Sequence, residues 1–478
     1  MNSDSFYQSP FSTRYASKEM SALFSDRHRY ITWRKLWIEL AKAEKALGLS
    51  ISDQQIRSME AHINELDLNL VSDYEKKFKH DVMAHLHAFG DLCPDAKGII
   101  HLGATSCFVT DNTDLILLKE GLKLLHAKVL QAIRHLADFA KKNAGLSCLS
   151  FTHFQAAQPS TYGKRACLWL QDLLMDLHDL EEKMHSLRFL GVKGATGTQA
   201  SFLSLFEQDH SKVKKLERAV AKAMGFELII PVSGQTYTRK QDIRVIGALS
   251  SFAATTHKIA TDIRLLAHLK ELEEPFGKEQ VGSSAMPYKK NPMRSERICG
   301  LARFLISLNE NPLYTHSTQW LERSLDDSAN RRLAIPEAFL CADSIINLLI
   351  HIFSGIVLHP HVIKKNMQKE LPFMATENIL MLSTKKGKDR QKLHESLRRY
   401  SIESSSANIN DEPAKELLHL ILQDKDFDLS QDELNDLMEE KKFTGRAEEQ
   451  VYEFLSEEVE PILKKFENTA SYKPLVFV

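Results

Sequence analysis

Residues 277–292 read Gly-Lys-Glu-Gln-Val-Gly-Ser-Ser-Ala-Met-Pro-Tyr-Lys-Lys-Asn-Pro, with two glycines, two serines, two prolines and three lysines. Such a stretch has hydroxyls and ammonium groups to present and almost nothing to bury. It ends in Asn291-Pro292, a pair suited to a helix start, since Asn can cap and Pro is tolerated at the first helical position. A plain linker would have the same composition, so the stretch has to be judged by its company.

Other polar stretches lead into apolar-periodic segments in the same way: Thr105-Ser106, Thr152-His153, Ser233-Gly-Gln235 through Arg239, and Glu322-Arg323 through Arg332. Unpaired N–H groups and the positive dipole end make helix N-termini natural anion sites. Capping accounts for one Ser, Thr, Asn or Asp per helix. It leaves His153, Gln235, Lys289, Arg323 and Arg332 unexplained. Each has a plainer reading: His153 alone fits a satisfied structural histidine, and the arginines fit a solvated surface. With Ser328, the arginines equally fit a phosphate grip through fork-shaped donors. His80, His85 and His87 resemble a metal set but lack the i, i+4 pairing of helical zinc sites. No Walker-type phosphate loop is present.

The elements that must position these residues follow from spacing. Leu115, Leu118, Leu122, Leu125, Val129, Ala132, Leu136 and Phe139 alternate in steps of three and four. Comparable runs cover 166–187, 245–266, 298–308 and 335–356. A spacing near 3.5 is the seam of helices packed almost parallel. The expectation is an all-α chain with a central bundle of five long helices over 106–358. An N-terminal helical unit over 1–105 and a looser C-terminal one over 359–478 flank it. Within 1–105, the pattern predicts helices over 26–48, 53–66 and 73–90. Bundle helices of 25–30 residues would span about 40–45 Å at ~1.5 Å per residue. Successive helix starts then fall at opposite ends, so one site that uses them all requires neighbouring subunits.

The composition is that of a globular protein: 478 residues, 43% hydrophobic, 26% charged, formal net charge −1. Near-balance of charge gives no global field for nucleic acid or an anionic membrane. The six cysteines are dispersed, which disfavours a disulfide framework or thiolate zinc site. Met1-Asn-Ser-Asp-Ser5 has no signal-peptide pattern, and no uninterrupted apolar run approaches ~20 residues. A cytoplasmic location is the expectation.

Gly282-Ser-Ser-Ala-Met-Pro-Tyr-Lys-Lys-Asn-Pro292 resembles the signature G-S-S-x-M-P-x-K-x-N-P of the fumarase/aspartase superfamily, and the order Thr105-Ser106, Thr152-His153, signature matches as well. Thr13-Arg14-Tyr15-Ala16-Ser17, Lys79-His80-Asp81, Ser233–Lys240 and Leu325–Arg332 are similar to the adenylosuccinate lyase branch, nearly end to end. This resemblance implies a β-elimination that releases fumarate from adenylosuccinate and from the succinylated aminoimidazole carboxamide ribotide of purine synthesis. It implies Ser283 as base, Lys289 balancing the developing charge, His153 as general acid and His80 in support. Thr105, Ser106, Thr152, Gln235 and Asn291 would hold the succinyl group and base, with Lys79 and Asp81 alongside. Arg14, Tyr15, Arg323, Ser328 and Arg332 would grip the phosphate, and Arg297 would complete the pocket. It further implies no cofactor or metal, and a homo-oligomer, a tetramer, with shared sites. Lys79 stands where the branch has arginine, and Tyr288 where many bacterial members have histidine. The rivals are another lyase of the superfamily, such as argininosuccinate lyase or fumarase, and a non-catalytic protein that kept the fold. The phosphate set argues against the first and intact Ser283, Lys289 and His153 against the second.

Overall fold

In the computed structural model, which describes residues 6–277, 279–406, 413–469 and 472, the chain opens with a π-helical turn at Phe11–Tyr15. Met1–Ser5, the stretch without a signal-peptide pattern, and Lys278 of the polar stretch lie outside the described residues. Five helices follow: α1 (Lys18–Leu23), α2 (Asp26–Ala46), α3 (Asp53–Ala61), α4 (Leu68–Phe78) and α5 (Asp81–Leu92). The segment 73–90, expected as one helix, is broken at Lys79-His80. Lys79 takes a left-handed conformation (φ 54°) that ends α4, and His80 caps α5 by accepting Met83 N–H on Nδ1 at 3.4 Å. The expected helix over 53–66 likewise stops at Ala61.

The seams become the long helices α6 (Ser106–Lys142) and α7 (Tyr162–Ser186). Two short helices intervene, α8 (Ala200–Leu205) and α9 (His210–Ala223), and α9 packs on α2. The seams resume as α10 (Lys240–His268), α11 (Met293–Leu308) and α13 (Asp327–Gly355), with the short α12 (Glu310–Ser317) continuing α11 after a break at Asn309. The seam residues Leu115, Leu118, Leu122, Leu170, Leu173, Leu249, Ile259, Ile298, Phe339 and Leu349 are all fully buried, as the spacing requires. The five long helices alternate in direction. α13 contains Pro336, which leaves the carbonyl of Arg332 without its i+4 donor. It is long and apolar enough to cross a bilayer, but 83% of that apolar window is buried inside the bundle.

Charged groups fix the bundle's two ends. Where α6, α10 and α13 start, the buried Arg239 guanidinium reaches Asp111 at 2.8 Å and Asp327 at 2.6 Å. Arg331 reaches Asp242 at 2.8 Å and Asp114 at 3.0 Å, and Tyr237 donates its hydroxyl to Asp242 at 2.6 Å. At the other end, Tyr162 at the start of α7 donates to the buried Glu271 at 2.6 Å, and Asn366 donates to the same carboxylate at 3.0 Å. Between α6 and α7, β1 (Ser147–Cys148) pairs with β4 (Ser160–Thr161), and β2 (Phe151–Thr152) pairs with β3 (Gln155–Ala156). β5 (Leu272–Glu273) pairs with β6 (Val357–Leu358). Outside these strands, Phe189 and Ile229 form one isolated parallel bridge.

Beyond the bundle come α14 (Pro360–Met374), α15 (Thr376–Lys385), α16 (Arg390–Ser406), α17 (Pro413–Gln423) and α18 (Gln431–Leu437). Ala375, Ile379, Leu393, Leu417, Ile421, Phe427 and Leu434 form a second core there. The chain then returns through α19 (Ala447–Phe454) and α20 (Glu460–Lys465), and Val451, Leu455 and Val459 join the main core.

Glu44 of α2 is fully buried and neither carboxylate oxygen has a hydrogen-bond partner among the described residues. Burial raises its carboxyl from the ordinary 4.5 to about 8. Between those values the folded chain keeps a proton that the unfolded chain has released. Stability therefore falls as pH rises across that window, by roughly 1.4 kcal/mol per pH unit at most, and levels off above it. The thermal midpoint of the wild type should drop relative to Glu44→Gln between about pH 5 and about pH 8. Parallel curves would show that Glu44 does not titrate there.

Candidate active site

The polar residues named from sequence collect at three places. At the end where α6, α10 and α13 start, His80 and Ser106 meet, Nε2 to Oγ at 3.4 Å. Because Nδ1 accepts the Met83 N–H, a neutral His80 ring carries its hydrogen on Nε2 and donates to Ser106. Asp81 accepts from Arg332 at 2.9 Å, and Ser328 lies in the first turn of α13 next to that arginine. Thr105 occupies the N-cap of α6 without a side-chain capping bond, which leaves its hydroxyl to a ligand. Gln235 donates to the carbonyl of Ala195 at 3.0 Å, while Cys107 lies between Gln235 (3.5 Å) and Arg323, whose Nη1 donates to the sulfur at 3.0 Å. Burial pushes the Cys107 thiol up to about 12, so it serves here as a neutral contact rather than a nucleophile. Two glycines permit this packing: a Cβ on Gly197 would meet Ser233 O at 1.8 Å, and one on Gly234 would meet Glu322 O at 2.4 Å. Lys79 is exposed at the turn before His80. Arg331, by contrast, is enclosed by carboxylates and is not available to an anion.

The second place is the loop before α11. The expected Asn291 cap is not formed. Pro292 takes the N-cap position, and the buried Glu274 caps the helix instead, accepting Arg294 N–H at 3.0 Å and Ser295 N–H at 2.7 Å. Asn291 donates across the loop to Gly282 O at 2.9 Å. Arg294 clamps the loop's root, donating to Pro275 O at 2.7 Å and to Gln280 at 3.2 Å. Ser283 Oγ accepts backbone N–H from Met286 at 3.1 Å and from Ala285 at 3.4 Å. Hydrogen bonds to a hydroxyl oxygen favour its ionised form, which is what a serine base needs. Lys289 is exposed, and among the described residues its ammonium has no ion-pair partner, whereas Lys290 is held by Glu273 at 2.8 Å. Below the loop, the Arg297 guanidinium lies 5.6 Å over the Tyr15 ring. Burial, and then the nearby Arg14 and Arg294, lower the pKa of Arg297, and Tyr15 opposes them. Three guanidinium groups thus share this region with the buried Glu274 carboxylate, which lies 3.9 Å from Arg294 and also raises the pKa of Arg297.

The third place is a hairpin tip. His153 and Phe154 form the two-residue turn between β2 and β3, with φ of 53° and 58°. This is the turn type that matches strand twist and favours Gly or Asn. His153 is exposed, and among the described residues its ring has no hydrogen-bond partner; Thr152 pairs with Gln155. His153 therefore does not stand at a helix start, as its position before α7 had implied. α6 separates the hairpin from Ser106, and its 37 residues span ~55 Å. Among the described residues no hydrogen bond joins His153 to Ser283 or to His80. Nor do His80, His85 and His87 converge: His85 stacks on Tyr30 (3.8 Å), His87 stacks on Phe78 (4.6 Å), and no group of three metal-ligating side chains occurs among the described residues.

A family model described as lyase matches residues 14–305, and one described as the adenylosuccinate lyase C-terminus matches 372–454. The adenylosuccinate lyase of Saccharomyces cerevisiae is 50% identical over 464 residues, 96% of this chain and 96% of the relative. That of Schizosaccharomyces pombe is 50% identical over 465 residues, 97% of this chain and 96% of the relative. The chain belongs to the adenylosuccinate lyase family. Among solved structures, the 3-carboxy-cis,cis-muconate lactonizing enzyme from Pseudomonas putida superimposes with a TM-score of 0.82 at 22% identity, covering 94% of this chain and 98% of that one. The fumarate lyase from Mesorhizobium sp. BNC1 gives 0.79 at 20%, covering 95% and 100%. At such identities the likeness is one of fold.

For a member of the adenylosuccinate lyase family, the structure adds residues that spacing had not singled out: Cys107, Gly197, Gly234, Glu274 and Arg294. Only the glycines left a sequence signal, since each sits in a polar stretch without apolar period. Gly282 belongs with them, because a Cβ there would lie 2.0 Å from Lys289 O, in the crossing that Asn291 bridges. Gly282→Ala should displace Ser283 and lower fumarate release by at least ~10²-fold, since a 1 Å misplacement has that effect. Circular dichroism and thermal midpoint should stay near wild type; normal turnover would show that the crossing is not needed.

Proposed function

We propose that the chain eliminates fumarate from adenylosuccinate, leaving AMP, and from the succinylated aminoimidazole carboxamide ribotide. Ser283 removes a proton from the carbon beside a succinyl carboxylate, the electron pair builds a doubly charged aci-carboxylate, and the C–N bond breaks as the carbon–carbon double bond forms. Lys289 and the loop's N–H groups stabilise that charge. His153 gives its proton to the departing nitrogen as the general acid. His80 and Ser106, already hydrogen-bonded, hold the succinyl end, with Thr105, Thr152, Gln235 and Asn291. Arg14, Tyr15, Arg323, Ser328 and Arg332 hold the phosphate, next to Arg297. The observation that carries this reading is the Ser283 hydroxyl, which accepts two backbone N–H groups inside the signature loop.

The ~55 Å length of α6 forbids one chain from closing such a site. In our reading the chain forms a tetramer, and each site takes its hairpin, its loop and its α6 start from different subunits. Exposed apolar side chains on the outer faces of α7, α11 and α12 supply a surface for that association: Leu168, Met175, Phe304, Leu313 and Tyr314.

Purified protein should release fumarate from adenylosuccinate, read by its ultraviolet absorbance, and not from argininosuccinate; the reverse preference would overturn the assignment. Ser283→Ala and His153→Ala should each abolish turnover with helicity and assembly intact. Sedimentation should give a tetramer, and an active monomer would contradict the shared site.

A further inference from the structure

The N-terminal arm that bears Arg14 and Tyr15 is pinned on both sides. Before them, Phe11 is buried against Phe304 (5.5 Å), and Ser9 donates to Glu337 at 3.1 Å. After them, Ser17 N–H donates to Asp343 Oδ2 at 2.6 Å. Lys128 of α6 closes this second anchor: its ammonium donates to Ser17 Oγ at 3.0 Å and also to Asp343 Oδ1. Asn347 supplies a further donor to Asp343 at 3.0 Å. Lys128 is 1% exposed and Asp343 0%. A buried ion pair is weak evidence of stabilisation, because desolvation offsets its attraction. Its geometry is informative, since one ammonium joins α6, α13 and the residue that ends the arm.

The remaining side of Lys128 is covered by Tyr472, whose ring lies 5.5 Å from the ammonium. Gln131, one turn along α6, holds Tyr472 by both backbone groups, donating to its carbonyl at 2.7 Å and accepting its N–H at 2.8 Å. A side-chain amide paired this way copies a strand neighbour and fixes the backbone rather than the ring. Tyr472, the buried lysine and the arm thus form one chain of contacts that ends two residues from Tyr15.

We infer that Lys128 is a positioning residue for substrate binding, locking the arm that carries Arg14 and Tyr15, with Tyr472 as the latch that keeps the lysine in place. The inference rests on the reading of Arg14 as a phosphate ligand. The test uses the full-length enzyme and Ser17→Ala, which removes the hydroxyl that Lys128 grips and leaves the Lys128–Asp343 pair intact. Ser17→Ala should raise KM for adenylosuccinate about 3- to 10-fold with kcat within about twofold, and Ser17→Thr should restore it. Tyr472→Leu should act in the same direction. In an Arg14→Ala background, Ser17→Ala should add nothing, because both changes lose the same contact. Ser17 also caps α1, accepting Met20 N–H at 3.2 Å, so Ser25→Ala, which removes the equivalent cap of α2, is the control and should leave KM unchanged. Unchanged KM in Ser17→Ala, or full additivity with Arg14→Ala, would overturn the inference. If Arg14→Ala itself left KM unchanged, the phosphate reading of Arg14 would fail, and the inference with it.

Discussion

Two buried arginines, Arg239 and Arg331, divide four aspartates between them at the end of the bundle where α6, α10 and α13 begin. Neither guanidinium can give up its charge in a protein, so each must be met by carboxylates or stay out of the core. Removing either arginine would leave its two carboxylates uncompensated in the core, a loss of about 3–5 kcal/mol. The network therefore sets the mutual register of three helix starts. Ser106, Gln235, Ser328 and Arg332 at that end are carried on or beside those starts, while His80 and Asp81 come from the start of α5. Apolar packing along the seams allows helices to slide by a turn at modest cost; directional charge pairs do not.

The same logic explains why the proposed base and acid, Ser283 and His153, lie on loops rather than on helices. A bundle with such long helices is rigid along its length and presents only its ends. Polar groups with free valence gather there, in the loop held by Glu274 and Arg294 and in the hairpin with His153 at its tip. The loop and, farther along the bundle, the arm ending at Ser17 are irregular backbone anchored by buried ionisable groups, Glu274 and the Lys128–Asp343 pair. The scaffold provides separation and the anchors provide precision.

Much of this was legible because burial follows periodicity. The seams at 106–142, 162–186, 240–268 and 327–355 appear in the leucine, isoleucine and phenylalanine spacing, since one face of each helix must be apolar. The signature stretch and the residues around it were visible as polar interruptions. What escaped were features decided at long range or by very short elements. The break at Lys79-His80 lies between two helices whose apolar residues fit one continuous phase. The cap of α11 comes from Glu274, beyond any local capping pattern. The hairpin has two-residue strands and a His-Phe turn, where alternation and Asn-Gly signals are both missing. Cys107 looked like any dispersed cysteine until Arg323 and Gln235 were found against it.

Pro336 lies within α13, four residues beyond Arg332, and denies that arginine's carbonyl a donor. Bending stiffness along a helix comes from an unbroken hydrogen-bond ladder, and here the ladder has a gap between the surface end and the buried shaft. The turns that bear Ser328 and Arg332 are therefore coupled to the bundle less by helix continuity than by the two charge clusters on Asp327 and Arg331. Mechanically, this end of α13 behaves as a short lever bolted to its neighbours at two points. A load applied at Arg332 passes into α6 and α10 before it reaches the rest of α13.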